Sequence, residues 1–260
     1  MAELVIAEDR GAVRHLILDR PAKRNAFDAA LVSATGAALA AAADDPAVRV
    51  VVLRGAGAGF SAGMDVGALA AAAAAPERLR AFRRACLGAW ALAEEMAKPV
   101  IAQLHGFCLG GALELALACD LRVVAADAWL GLPEPQLGLV PDLGGPSRLA
   151  QVVGLGRAKE LVLTGRAIDG VEAERIGLAN RVAPAAELDA ATQALVEELL
   201  ACAPLPIGLA KRLLDASARP ALSTTLELEL AAQELCLRSE DVQEGLRAAA
   251  ERRPPRFSGR

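Results

Sequence analysis

The sequence contains little of several features that define whole classes of protein. It has no Tyr, and aromatic residues make up 3% of its 260 residues. Strands of β-sandwiches favour aromatic and β-branched side chains, so this composition fits an α-rich or α/β fold better. Only two His are present, and neither an H-E-x-x-H motif nor a Cys/His cluster occurs. The sequence therefore predicts no metal site.

Disulfide, secretion and membrane signals are also missing. The five Cys form no C-x-x-C pair, and most lie in apolar runs, which is typical of reduced, buried thiols. The first ten residues include acidic side chains where a secretory signal peptide has a basic start and an apolar run. The most apolar stretch, Pro99–Leu113, is interrupted by Gln103 and His105 and is too short to span a bilayer. We expect a soluble, cytoplasmic protein.

Charge of one sign is not concentrated anywhere in the chain. The formal net charge is -4, and basic and acidic residues are interspersed. A nucleic-acid-binding protein would show a basic stripe, and a membrane-surface protein a polybasic segment. We therefore expect neither nucleic acid nor a membrane as a partner.

The apolar pattern divides the chain into a mixed part and a helical part. The predicted strands are Leu4–Glu8, Val13–Asp19, Val48–Arg54, Pro99–Leu104 and Leu121–Ala125, with a turn at Gly106–Gly111 and an ordered loop at Pro133–Pro146. The predicted helices are Ala29–Ala43, Pro76–Ala97, Ala112–Cys119, Gly156–Leu163, Val171–Ile176, Ala186–Ala201, Leu205–Ala216 and Ser223–Ala250. We predict an α/β core over residues 1–200 and a helical region over residues 201–260.

One motif imitates a serine hydrolase. Residues Gly59–Gly63 match the G-x-S-x-G nucleophile elbow and follow a strand. That fold requires an acid and then a His after Ser61. His15 precedes the Ser, and His105 follows it too closely to leave room for the rest of such a sheet. A Gly/Ala-rich turn with a small Ser is the favoured interpretation. No G-x-G-x-x-G motif opens a helix after a strand, which argues against a dinucleotide site.

Two carboxylates lie in apolar surroundings. Glu114 belongs to the segment GGALELALACD, and Glu134 to LGLPEPQLGLVP. A carboxylate in such a segment is paired, protonated or exposed to a cleft, because desolvation raises its pKa. Across one pocket the two groups would suit general acid/base chemistry. Composition alone favours the alternative of one solvated Glu and one loop Glu.

Backbone amides form a second candidate feature. Gly110 and Gly111 precede the helix that carries Glu114, and amides at a helix N-terminus attract anions. The turn Ala62–Asp65 offers another set of unpaired N–H groups. Two converging donors would make an oxyanion hole, although two ordinary tight turns explain the same residues.

Several ordered motifs together resemble the enoyl-CoA hydratase/isomerase (crotonase) family. Phe60–Asp65 is similar to its F-x-A-G-x-D motif, and Lys98–Asp120 to its K-P-V-I-A…G-x-x-x-G-G-x-x-E-L-x-x-x-C-D segment. Further matches in the same order are Leu18–Ala26, Pro133–Pro141, Gly144-Gly145, Arg148-Leu149, Thr164–Arg166 and Arg253–Phe257. The resemblance extends over nearly the whole chain.

The resemblance implies a fold, a substrate class and roles for single residues. The fold is a crotonase-like spiral of ββα units with a C-terminal helical trimerisation region, assembled as a homotrimer or hexamer. The substrate is an acyl-CoA, so coenzyme A belongs to the substrate and no separate cofactor is expected. The resemblance places the oxyanion-hole amides on Met64 and Gly111 and the catalytic carboxylates on Glu114 and Glu134. Contacts with CoA fall near Lys23, Ala26, Ala62, Asp65 and Val66.

The expected reaction is hydration of a trans-2-enoyl-CoA to a 3-hydroxyacyl-CoA, as in fatty acid β-oxidation. Asp142 departs from the resemblance, because hydratases of the family commonly have Gly there. An acidic residue at this position is similar to the dienoyl-CoA and ring-epoxide isomerases of the same family. Asp142 is thus a candidate third acid, or a solvated loop residue. A double-bond isomerase and a non-catalytic CoA-binding member stay open as alternatives. We expect Leu69–Ala75 to border the acyl pocket, and Arg256 or Arg260 to reach the CoA phosphate of a neighbouring subunit.

Overall fold

The computed structural model describes residues 3–73, 75–218 and 222–256. The strands are β1 (Val5–Arg10), β2 (Val13–Leu18), β3 (Val50–Gly55), β4 (Val100–Leu104), β5 (Phe107–Leu109), β6 (Leu121–Ala125), β7 (Trp129–Gly131) and β8 (Arg181–Ala183). The α-helices are α1 (Ala29–Asp44), α2 (Val66–Ala73), α3 (Pro76–Glu95), α4 (Gly111–Ala118), α5 (Gly145–Val153), α6 (Leu155–Thr164), α7 (Gly170–Arg175), α8 (Leu188–Leu200), α9 (Pro204–Ala218), α10 (Leu222–Leu237) and α11 (Glu240–Glu251).

The main sheet has six strands in the order β1-β2-β3-β4-β6-β8. β1 and β2 form an antiparallel hairpin, and every later pair in this sheet is parallel. All five residues of β4 are buried, as are Val50–Leu53 of β3. Parallel strands covered on both faces are continuously apolar, which explains why these runs show no alternation. The predicted α/β fold class is confirmed.

A small second sheet leads into α4. β5 pairs in parallel with β7, and α4 begins two residues after β5 ends. Every residue of α4 is buried. This helix therefore presents its first turn to the interior of the molecule, where its amides and Glu114 are shielded from bulk water.

Three short strands, β5, β7 and β8, are absent from the sequence prediction. The segment Gly106–Gly111, predicted as a turn, contains β5, because its amides and carbonyls pair with β7. β8 lies in the part predicted to be almost entirely helical, and it adds the last strand to the sheet beside β6. Each of the three strands has only three residues, which is too short for an apolar period to develop.

The C-terminal prediction of one helix over Ser223–Ala250 is wrong, because two helices occupy this segment. α10 ends at Leu237, and α11 begins at Glu240 after the N-cap Ser239, whose Oγ accepts a hydrogen bond from the amide of Val242. Ser at an N-cap satisfies an amide that has no partner within the helix, so it favours a new helix start. The predicted loop Pro133–Pro146 also contains a 3-10 turn, Glu134–Leu137. The division of the chain at residue 200 stays a prediction.

Across the described ranges, no helix by itself has the length and apolar character to cross a bilayer. The segments Ala185–Leu200 and Pro204–Ala216, bent by 104°, meet those criteria only when taken together.

Candidate active site

One cavity of about 70 Å³ brings together residues that are far apart in the sequence. Glu114, Glu134 and Asp142 all contribute to its lining, as do Met64 and Gly110. Its apolar wall includes Leu69, Leu137, Leu139, Val140 and Leu143. Leu69 thus borders the cavity as expected, whereas the side chains of residues 72–74 are not among those that the structure describes. The predicted carboxylates do share a pocket, which composition alone did not favour.

Glu114 is held in a fixed orientation by the N-terminal end of α5. The side chain is 2% exposed, and its Oε1 accepts hydrogen bonds of 2.8 Å from the amides of Leu143 and Gly145. A Cβ at position 145 would lie 2.7 Å from the same oxygen, so only Gly allows this approach. The carboxylate is therefore positioned before any substrate binds, as preorganised acid/base groups require.

Glu134 differs from Glu114 in that its carboxyl group is buried without comparable amide donors from the described residues. Its Oε2 is buried and has no hydrogen-bond partner within the part of the chain that the structure describes. Burial raises the pKa of Glu134 to about 8, a backbone hydrogen bond of its own residue opposes this, and the charge of Asp142 raises it further. Near neutral pH the side chain is thus largely protonated and able to donate a proton.

Gly110 makes room for this carboxyl group. Its backbone has φ 55, a conformation that residues with a Cβ rarely adopt. A Cβ at this position would lie 2.6 Å from Oε1 of Glu134. Glycine is therefore required both by the turn into α4 and by the close approach of Glu134.

The predicted oxyanion-hole amides lie on neighbouring segments, Met64 in the turn before α2 and Gly111 at the first residue of α4. The amide of Ser61 donates to the carbonyl of Phe107 (3.1 Å) and the amide of Leu109 to the carbonyl of Ser61 (3.2 Å), which joins the two segments. A Cβ at Gly111 would lie 2.6 Å from Sδ of Met64, which shows how close the two residues are. Among the described residues neither amide donates a hydrogen bond to a protein acceptor. Two adjacent, unused donors suit an oxyanion.

The neighbouring turn explains why Met64 keeps its amide unused. The amide of Phe27 donates to the carbonyl of Gly63 at 2.8 Å, and the amide of Asp65 donates to Phe27 at 2.9 Å. Phe27 and Met64 thus form a parallel β-bridge whose hydrogen bonds use the residues on either side of Met64 and not its own amide. Ser61 is fully buried, and its Oγ donates to the carbonyl of Asn25 at 2.7 Å, so it serves the turn and is no exposed nucleophile.

The predicted CoA contacts form one surface next to this turn. The amide of Ala62 donates to the carbonyl of Arg24 at 3.0 Å, which sets the segment with Lys23 and Ala26 beside it. Lys23 is exposed and Ala26 is half-buried. Asn25, which the sequence analysis did not single out, anchors this segment: its buried Nδ2 donates to the carbonyls of residues 56, 59 and 60.

Asp65 and Val66, the two remaining residues of this surface, differ in how far their side chains are free to contact a ligand. The carboxylate of Asp65 forms an ion pair of 3.0 Å with Arg20 and accepts hydrogen bonds from the first amides of α2. Its side chain therefore stabilises the turn. Val66 follows it and is 51% exposed.

Asp142 is not a solvated loop residue, because its side chain is 13% exposed and lines the cavity. Arg83 lies 3.5 Å from its Oδ2. Sequence reasoning missed Arg83 and also Gln233, which comes from α10 and lines the same cavity. Both lie on helices whose local pattern carries no signal of a distant partner. In the described ranges no group of His, Cys, Asp or Glu has an arrangement that would hold a metal ion.

Comparison with known proteins gives one consistent result. The family model described as "Enoyl-CoA hydratase/isomerase" matches residues 8–260. The chain is 34% identical to a crotonyl-CoA hydratase of Syntrophomonas wolfei over 98% of each chain, and 37% identical to a carnitinyl-CoA dehydratase of Proteus mirabilis over the full length of both. It superimposes on the crystal structure of a carnitinyl-CoA hydratase from Mycobacterium avium with a TM-score of 0.87, 35% identity and complete coverage of both chains.

Proposed function

Because this chain belongs to the enoyl-CoA hydratase/isomerase family, we propose that it adds water to trans-2-enoyl-CoA thioesters and forms 3-hydroxyacyl-CoA. The family and the crotonase fold predicted from the sequence are confirmed. The observation that carries the proposal is the presence of Glu114 and Glu134 in one cavity beside the amides of Met64 and Gly111.

The two amides stabilise the charge that develops on the thioester. When water adds to C3, electron density moves through C2 to the thioester oxygen and forms an enolate. The N–H groups of Met64 and Gly111 donate to this oxygen. Their contribution is largest in the transition state, because preorganised donors in a dry site need no rearrangement as the charge appears.

The two carboxyl groups move the protons. Glu114, oriented by two amides, accepts a proton from the attacking water, whose oxygen bonds to C3. Glu134, with its raised pKa, donates a proton to C2. One proton is taken up and one is given, so the net change is addition of H₂O. Glu114 acts as the base because amide hydrogen bonds stabilise its charged form, and Glu134 acts as the acid because desolvation favours its protonated form.

Asp142 supports a second candidate, double-bond isomerisation. Its carboxylate lies in the cavity beside Glu134. A third acid/base group would allow a proton to leave a carbon further along the acyl chain while another returns elsewhere, without water addition.

Substitution of the glutamates tests the proposal. E114Q and E134Q should each lower the rate of crotonyl-CoA hydration by roughly 100-fold or more. E95Q, at an exposed position on α3, is the matched control and should leave the rate unchanged. Loss of the enoyl absorbance reports hydration, and a shifted double bond reports isomerisation. Near-wild-type turnover of both variants would exclude this mechanism, and tight acyl-CoA binding with no reaction would indicate a binding role.

We propose that the chain assembles as a homotrimer, alone or paired into a hexamer. Leu205, Leu209 and Leu213 repeat every four residues along α9 and are 72%, 50% and 71% exposed. Such an apolar face marks an interface, and closed rotational symmetry is its usual arrangement. α10 belongs to the C-terminal helical region that the resemblance makes the trimerisation region. Its Leu226, Leu230 and Leu237 are half-buried within the chain, and the side chains of Leu228 and Leu235 are not among the described ones.

Sedimentation at micromolar concentration tests the assembly. Three copies of the 26.8 kDa chain should sediment as a particle of about 80 kDa. L213E should shift the distribution to smaller species, and the exposed Leu155 provides the control L155E. A stable wild-type monomer would refute the proposal. Arg256 is exposed, and Arg260 lies outside the described residues, so their contact with a neighbour's CoA stays a prediction. The cytoplasmic location and the absence of a separate cofactor also stay predictions.

A further inference from the structure

Gln233 contributes a buried polar group to the cavity. It belongs to α10 and is 3% exposed. The neighbouring cavity wall is apolar, with Leu69 from α2 and Leu139 and Val140 from the segment before α5. A small number of fixed polar groups in an otherwise apolar lining is the usual source of ligand selectivity in small-molecule sites.

The orientation of this amide is determined by its partner. The main-chain N–H of Val140 donates to Oε1 of Gln233 at 2.9 Å. Because an N–H group requires an acceptor, the oxygen must face Val140 and Nε2 must point elsewhere. The two N–H groups on Nε2 have no protein acceptor among the residues that the structure describes, although Glu134 and Asp142 line the same cavity.

We infer that Gln233 is a specificity-determining residue, whose Nε2 donates a hydrogen bond to an oxygen on the acyl chain of the substrate. The preferred substrates are then enoyl-CoA thioesters with a hydroxyl or ether oxygen beyond the double bond. An all-carbon chain would cover the donor without satisfying it, whereas an oxygen in reach would pair with it. This inference rests on the proposed function, because it assigns the acyl end of the same site.

Matched substrates provide the first test. In 4-hydroxycrotonyl-CoA a hydroxyl takes the place of the terminal methyl group of trans-2-pentenoyl-CoA, and in 4-methoxycrotonyl-CoA an ether oxygen replaces one methylene of trans-2-hexenoyl-CoA. For each pair, the ratio of kcat/KM for the oxygenated member to that for its carbon counterpart is measured. We expect a ratio of about ten or more in at least one pair, as one satisfied hydrogen bond gives.

Two variants separate recognition from support of the loop. Q233E keeps an oxygen for the amide of Val140 but replaces the free NH₂ group by a second oxygen, and Q233M removes both functions. Both should reduce the ratio to one or below. Loss of the contact with Val140 is a separate effect: it should lower kcat equally for both members of a pair, and by itself it would not change their ratio.

Each outcome decides the inference. A wild-type ratio at or below one in both pairs, or a high ratio that persists in Q233E and Q233M, would overturn it. Hydration of trans-2-pentenoyl-CoA without preference for oxygen rejects this inference and retains the proposed function. If no enoyl-CoA is hydrated, the proposed function fails, and the same ratio is then read from Kd values by titration calorimetry.

Discussion

Arg83 of α3 contacts Asp142 in two ways: its Nε donates to the main-chain oxygen at 2.9 Å and lies 3.5 Å from Oδ2. The same guanidinium donates to the carbonyl of Leu226 in α10 at 2.5 Å. A cation that is only 6% exposed therefore joins α3, the cavity wall and the C-terminal helices. The acid next to Glu134 owes its position to a residue outside the cavity.

Loss of Arg83 should destabilise the protein. R83M removes a buried donor from two carbonyl oxygens and one ion-pair partner from the carboxylate of Asp142, so we expect a decrease of about 3 kcal/mol in the free energy of unfolding. R83K should recover part of it. Urea denaturation measures the effect, with R84M as the control because Arg84 is the exposed neighbour on the same helix. Equal stability of R83M and R84M would contradict the assignment.

The pH dependence of hydration should respond to Asp142. Its charge contributes to the raised pKa of Glu134, so D142N should lower that pKa from about 8. Glu134 acts while protonated, and activity is lost as pH rises through its pKa. The alkaline limb of kcat should consequently move to lower pH, with a decrease in rate of up to about tenfold above pH 8. A limb that stays in place, or moves to higher pH, would show that Asp142 does not act on Glu134.

Glu134 should reduce stability in alkaline solution. Its pKa is raised from the ordinary glutamate value of 4.5 to about 8 in the folded chain, so the folded state binds the proton more tightly than the unfolded state. The resulting stabilisation relative to alkaline pH is fully present below about 4.5 and is lost as pH rises to about 8. E134Q cannot ionise and should be more stable than wild type at pH 8 by up to about 4 kcal/mol, and at pH 5 by less than about 1 kcal/mol. Thermal unfolding at both pH values measures this difference, and a pH-independent difference would contradict it.

The adjacent glycines Gly110 and Gly111 should tolerate alanine differently. G110A places a Cβ against the carboxyl of Glu134 and forces an unfavourable φ, so hydration should fall by roughly 100-fold or more. G111A meets Sδ and Cγ of Met64, which belong to a flexible side chain.

The loss in G111A should therefore be smaller, and the second substitution M64A should recover part of it. Steady-state kinetics with crotonyl-CoA compare the three variants. If G111A is as inactive as G110A and M64A does not help, steric conflict with Met64 is not the cause.

Short stretches of sequence are enough to predict much of the secondary structure of this protein. The apolar runs of β3 and β4, the hairpin and the helix after Gly110-Gly111 follow from short-range periodicity and turn chemistry, and each was predicted close to its observed bounds. Glu114 and Glu134 were conspicuous because a carboxylate in an apolar segment requires an explanation. The three-residue strands β5, β7 and β8 were missed, since their stability comes from pairing with a neighbouring strand and not from their own pattern.

Tertiary structure alone decided which acid carries the proton and what surrounds it. Arg83 reaches Asp142 across 59 positions of the chain, and Gln233 reaches Val140 across 93. Desolvation of Glu134 likewise depends on segments brought together from α2, α4 and α10. Periodicity records only which face of an element is apolar, whereas a pKa and a hydrogen-bond partner depend on distances between groups that folding places side by side.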